Sequence, residues 1–438
     1  MADLDAQLDR ILRAAQKERR LPSISAAVFT SEGVTWSSAL GLADVEAGEE
    51  ATPEHVYRIG SITKTFTAVC VIQLRDAGQV DLDAPLRTYI PEVMPGPTVR
   101  QALAHLSGFQ REPPGEIWET LTPPGREELL AGLEDAEQVL APGTVWHYSN
   151  LAFALLGELV VRVSDTFYSA YLELNVLEPL GLWRTSVAAI EPVARGYYVG
   201  PWSDGVTLEP ELELTETTAA LGQLWSTTED LALWGAFLAT GHDDVLAKAT
   251  LDEMTRVQAM VDDARWTVGW GLGLTLYRRG DRVLTGHGGA MPGYLAGLVV
   301  DRATGTGAAV LAGASTGARA EELALELAEA AIAASEAEVA LWTPDAGAPA
   351  DLAPLLGTWW VEGSEHVMRY RDERLEIELI DGPVGRSVSA LVQEAEDRFR
   401  IVEGRERGEV VRVVRDAGGA IVKLYFATYP MTRESSSF

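Results

Sequence analysis

A serine and a lysine three residues apart stand at the head of one apolar helical segment: Ser61-Ile62-Thr63-Lys64, preceded by Tyr57-Arg58-Ile59-Gly60 and followed by Phe66, Val69, Ile72 and Leu74 before Gly78. Residues three apart on a helix share a face, which sets the hydroxyl and the amine one turn apart. A serine hydroxyl is a weak nucleophile until a base takes its proton. A lysine serves as that base only when neutral, and burial among apolar side chains favours the neutral amine. The positive end of the helix favours negative charge developing at Ser61. Composition sharpens the reading. Only four of the 35 basic residues are lysines (Lys17, Lys64, Lys248, Lys423). Arginine serves elsewhere, and arginine cannot give up its proton at ordinary pH.

Two further segments carry chemistry. Pro142-Gly143-Thr144-Val145-Trp146-His147-Tyr148-Ser149-Asn150 leads into a helix from Leu151 to Val163. Tyr148 can relay a proton if a nearby ammonium stabilises its phenolate. Asn150 offers an amide able to hold both Lys64 and a substrate carbonyl. In isolation the segment reads more readily as a helix cap, with Tyr148 merely packing. The third segment is Gly286-His287-Gly288-Gly289-Ala290, then Pro292-Gly293-Tyr294. Glycines ahead of a strand let a substrate backbone approach closely. Alone, it also fits a glycine-rich turn bearing a surface histidine.

The elements that position these residues follow from periodicity. Leu4, Leu8, Ile11 and Leu12 form the apolar stripe of an opening helix. Ser23 to Phe29 and Val34 to Gly41 are predicted strands joined by a turn at Ser31-Glu32-Gly33. Helices and loops fill about 56–237. Strands return at Trp270 to Tyr277, Arg282 to Leu284, Tyr294 to Val300 and Gly307 to Ala312, and a helix follows near Ala318 to Ala340. The order predicts an α+β fold, an antiparallel sheet flanked by helices with an all-helical insertion. Residues 343–353 read as a linker. The rest, 354–438, has short alternating stretches at Gly357 to Val361, His366 to Tyr370, Leu375 to Leu379, Phe399 to Val402, Val410 to Val414 and Ile421 to Phe426, as in a small all-β barrel.

The balance of 35 basic to 65 acidic residues, a net −30, disfavours nucleic acid and anionic membrane surfaces as partners. Cys70 is the only cysteine, and the six histidines (55, 105, 147, 242, 287, 366) show no metal-ligand spacing, so no metal and no cofactor are expected. The first residues lack the build of a signal peptide and no apolar run is long enough to span a membrane, so a cytoplasmic location is the simplest expectation.

Together, in this order, the three motifs resemble those of the serine β-lactamase and penicillin-binding-protein superfamily: Ser-x-x-Lys, Tyr-x-Asn, and Lys-Thr-Gly or a variant. Tyr148-Ser149-Asn150 resembles the class C β-lactamase branch with its esterase, D-aminopeptidase and DD-peptidase relatives. Ala102-Leu-Ala-His-Leu-Ser-Gly108, Pro179-Leu-Gly-Leu182, Ala219-Ala-Leu-Gly222 and Ser226-Thr-Thr-Glu-Asp230 are similar landmarks. The resemblance covers about 8–334, and the tail resembles the lipocalin-like barrel often appended in this branch. It implies a serine hydrolase domain at 1–342 acting on a small ester, amide or short peptide through an acyl-enzyme. Ser61 would be the nucleophile, and Lys64 and Tyr148 the proton carriers. Asn150 would hold Lys64 and substrate, and the oxyanion hole would fall on the backbone N–H groups of Ser61 and Ala290, beside Gly289. The third motif departs from the pattern: His287 replaces lysine and Gly288 replaces threonine. Weak or absent β-lactam hydrolysis is therefore expected, with a true class C-like β-lactamase or a slowly deacylating penicillin-binding receptor as alternatives. Arg58, Arg111, Trp118, Trp146, Tyr197, Tyr198, Trp225 and Tyr294 are candidates to shape the pocket. The loops Gln110 to Pro124 and Ala194 to Glu213 would tune it. Assembly into a homo-oligomer is left open.

Overall fold

The computed structural model describes residues 2–213, 215–336, 342–344, 346–383 and 387–435. Contacts divide the chain into two compact units, Met1–Glu338 and Val339–Phe438.

The first unit opens with the helix Ala2–Glu18, then β1 (Ser23–Thr30), β2 (Gly33–Asp44) and β3 (Glu49–Glu50). The helical insertion follows. It is not purely helical: β4 (Tyr57–Arg58) pairs with β7 (Trp225–Ser226), and β5 (Tyr197–Val199) with β6 (Val206–Leu208). The sheet resumes with β8 (Ala259–Met260), β9 (Val268–Trp270), β10 (Thr275–Arg279), β11 (Arg282–Met291), β12 (Tyr294–Asp301) and β13 (Thr306–Ala312). Its order is β3-β2-β1-β13-β12-β11-β10-β9-β8, antiparallel throughout. The first and last sequence segments thus meet at the β1–β13 pair, on either side of the insertion.

Both faces of the sheet are covered, and the period of two shows it. Ala26, Val28, Val299 and Val310 pack with Leu8, Leu12, Leu323 and Leu327 of the two terminal helices. Their neighbours Ala27, Phe29, Leu298 and Leu311 point the other way, into the core shared with the insertion. A strand buried on two faces reads as an unbroken apolar run, which is why β1 and β13 were easy to find in sequence.

Two expectations need correction. Trp270 to Tyr277 is not one strand: Gly271 N–H bonds the Leu274 carbonyl at 2.8 Å and Gly273 takes φ +74°, so β9 turns sharply into β10. The third motif does not precede a strand but lies inside β11, where Gly286–Ala290 pairs with Leu295–Val299. The final helix of the unit runs Ala320–Glu336, and its expected last residues, 337–340, lie outside the described residues.

In the second unit eight strands follow as an antiparallel meander: β14 (Gly357–Val361), β15 (Ser364–Arg371), β16 (Arg374–Leu379), β17 (Val388–Ala395), β18 (Arg398–Glu403), β19 (Val410–Arg415), β20 (Ile421–Phe426) and β21 (Tyr429–Met431). Trp360 and Thr432 exchange backbone hydrogen bonds of 2.7 and 3.0 Å, joining the first strand to the end of the last. Trp359, Met368, Ile377, Phe399, Ile401, Leu424 and Met431 fill the interior. β17 and β21 escaped the sequence reading because one ends in the polar run Gln393-Glu394 and the other is three residues long.

Candidate active site

The nucleophile turn comes first. Gly60–Ile62 forms a single 3₁₀ turn that feeds the helix Thr63–Asp76, and almost every side chain of that helix is buried. Gly60 sits at φ +53°, and a Cβ there would fall 2.5 Å from the Ala290 nitrogen. A Cβ on Gly289 would fall 1.9 Å from the Ile59 carbonyl oxygen. Two glycines therefore let β11 lie against the turn, bringing the backbone of Ala290 beside Ser61.

Lys64 is fully buried. Its Nζ donates to Ser61 Oγ at 3.1 Å and to the Leu221 carbonyl at 2.5 Å. Burial brings its pKa from 10.5 down to about 7, with the Glu112 carboxylate raising it and Arg111 lowering it. An amine poised there, in contact with a serine hydroxyl, is what general-base activation of the serine requires.

Tyr148 lies just before the helix Asn150–Ser164, whose cap is Ser149: its Oγ accepts from the Ala152 N–H at 3.0 Å. The capping reading is thus right for Ser149, and it leaves Tyr148 free to face the cleft. Lys64 Nζ is 5.1 Å from the Tyr148 ring centre and the Arg111 guanidinium carbon 5.0 Å. Burial holds the Tyr148 phenol above its ordinary range, while hydrogen bonding with Ser61 and the charge of Arg111 pull it down. His105 holds the segment in place. Its Nδ1 accepts from the Ser149 N–H at 3.1 Å, its carbonyl accepts from the His147 N–H at 2.8 Å, and its ring lies 4.2 Å from that of Tyr148. Burial and the charge of Lys64 keep His105 neutral.

Asn150 departs from its expected role. Its amide donates to both oxygens of Glu112, at 2.8 and 2.9 Å, and no hydrogen bond joins it to Lys64. The Leu221 carbonyl anchors the amine instead. Asn150 Oδ1 is buried without a partner.

Ser61, Tyr148, Asn150, His287, Gly289 and Ala290 line one cleft of about 900 Å³, together with Arg111, Glu112, Trp118, Trp146 and Glu321. Not every candidate is there. Arg58, Trp225 and Tyr294 line a separate cavity of about 610 Å³ formed with the 189–196 and 208–213 segments. Tyr197 donates to Glu46. The loop Gln110 to Pro124 thus borders the cleft, whereas Ala194 to Glu213 borders the other cavity. His105, Glu112, Leu221 and Glu321 were missed in sequence. His105 and Leu221 carried a signal, within Ala102–Gly108 and Ala219–Gly222, and Glu112 lay within the loop Gln110 to Pro124. His287 is buried and held neutral, its pKa brought to about 3 by burial and by Lys64. Among the described residues no group of three or more His, Cys, Asp or Glu is arranged to hold a metal ion.

The chain is similar to several known proteins. Residues 8–332 match the family described as Beta-lactamase, and residues 348–433 match a domain of unknown function, DUF7586. Esterase EstB of Burkholderia gladioli is 31% identical over 223 residues, 47% of this chain and 56% of that one. The chain spans about half the length of the curated relatives it matches first. A D-stereospecific amidohydrolase from Streptomyces sp. superposes with TM-score 0.63 at 28% identity, covering 74% of this chain and 98% of that one. The octameric penicillin-binding protein homologue from Pyrococcus abyssi shares the fold at TM-score 0.67 and 23% identity, covering 98% of this chain and 99% of that one.

Proposed function

Because the chain belongs to the beta-lactamase family, we propose that it is a serine hydrolase that cleaves small esters or amides through an acyl-enzyme on Ser61. The observation that carries this reading is the 3.1 Å contact from Lys64 Nζ to Ser61 Oγ, with the amine brought to about pH 7 by burial. In the neutral state Lys64 accepts the Ser61 proton as Oγ attacks the acyl carbon. The tetrahedral oxyanion forms against the backbone N–H groups of Ser61 and Ala290, donors of a kind whose single removal costs about 10²–10³ in rate. Tyr148, in contact with Ser61, passes a proton to the leaving group. Water then enters, gives its proton back along the same route and frees the acid.

Two relatives support the substrate class: one is named as an esterase and one as an amidohydrolase. Neutral His287 offers no fixed positive charge for an anionic lactam. The test is a panel of p-nitrophenyl esters, D- and L-aminoacyl anilides and nitrocefin, read against Ser61→Ala. Fluorophosphonate should add its mass to Ser61 in the wild type and to nothing in the variant. Turnover that survives Ser61→Ala would overturn the reading.

A further inference from the structure

The end of the cleft along β11 holds a carboxylate that this mechanism does not use. Glu321 lies in the first turn of the helix Ala320–Glu336 and lines the cleft beside His287 and Gly288. A Cβ on Gly288 would stand 2.1 Å from Glu321 Oε2, so the carboxylate occupies the space that any larger residue at 288 would fill. Burial raises the Glu321 pKa, and the groups acting on it are the Tyr277 hydroxyl and Glu322, with no cation among them. The nearby Arg319 is engaged with Glu322 at 2.6 Å. The ring of the neighbouring His287 faces the other side of β11, against Tyr148 and Trp270.

A half-buried carboxylate held by a neutral phenol, with no cation to meet its charge, is costly unless a ligand supplies positive charge. An ammonium supplies that charge, with three donors and no acceptor. A second carboxylate in the same place meets like charge. We propose that this end of the cleft is a subsite for a protonated amine on the substrate, its charge met by Glu321, with Gly288 keeping the space open. The inference rests on the reading of Ser61 as a hydrolytic nucleophile and adds the charge of the preferred substrate.

The test uses the full chain and two matched series of aryl esters, bearing an ammonium, a methyl or a carboxylate group. One series places the group at the end of the acyl chain, the other on the phenol. In at least one series the wild type should favour ammonium over methyl by about tenfold or more in kcat/KM, with carboxylate the poorest. Glu321→Gln should cut that ratio at least about tenfold, and Gly288→Thr should do the same by displacing the carboxylate. Fluorophosphonate labelling of Ser61 shows that each variant retains an assembled site. A measurement on the wild type alone stands beside these: a short alkylammonium should inhibit turnover of the methyl ester, and an alkanoate of equal length should not. Absence of an ammonium preference in both series, or its persistence in Glu321→Gln, overturns the subsite. Failure of the hydrolase reading looks different, because then no ester is turned over and no label reaches Ser61.

Discussion

Replacing Lys64 by arginine keeps the charge and most of the length and removes only the ability to lose a proton, which makes it a direct test of the base. The buried amine titrates at about 7 instead of 10.5. A guanidinium holds its proton far above ordinary pH. Almost none of the arginine at this position is therefore neutral at pH 7, against about half of Lys64. If Ser61 is activated by a neutral base, kcat/KM for a p-nitrophenyl ester should fall at least about 10²-fold, within the range of general-base effects. The wild-type rate should climb with pH and level off above about 7, the pKa held by Lys64. In the variant no plateau should appear by pH 9. Ester kinetics from pH 6 to 9 check this, with circular dichroism confirming that the larger side chain is accommodated beside Leu221. An arginine variant within about threefold of the wild type across that range would refute the role given to Lys64, since that fraction of neutral guanidine cannot sustain such a rate.

Three further outcomes follow from the same geometry. Glu112 raises the Lys64 pKa, so Glu112→Gln should move the rising limb of the pH–rate profile to lower pH, measured as kcat/KM against pH; a shift to higher pH would contradict the assignment. Gly60→Ala places a methyl 2.5 Å from the Ala290 nitrogen at φ +53°, so ester turnover should fall by about 10² or more as β11 is pushed from the nucleophile turn, and near-normal rates would show that Ala290 is not an oxyanion donor. Neutral esters should outpace nitrocefin by more than about tenfold, and His287→Lys, which adds a fixed positive charge, should narrow that gap when the two substrates are compared in kcat/KM.

The local code of this protein was legible from the chain alone wherever one physical cause dominated. The Ser61–Lys64 spacing follows from helix geometry, and the scarcity of lysine marked Lys64 as the candidate base. Buried-strand runs located β1, β12 and β13, and alternation located six of the eight barrel strands, because periodicity is set by burial of a face. The folded chain decided what depends on approach between distant segments. Asn150 turns to Glu112 because the loop at 111–112 folds over the helix start, and Lys64 is anchored by a carbonyl of residue 221, whose side-chain identity carries no information about it. Arg58, three residues before the nucleophile, faces a different cavity because β4 pairs with β7. Gly60 and Gly288 illustrate the division. Their presence is written in the sequence, but only packing shows that one admits the backbone of β11 and the other the carboxylate of Glu321, since a missing side chain takes its meaning from whatever fills the space.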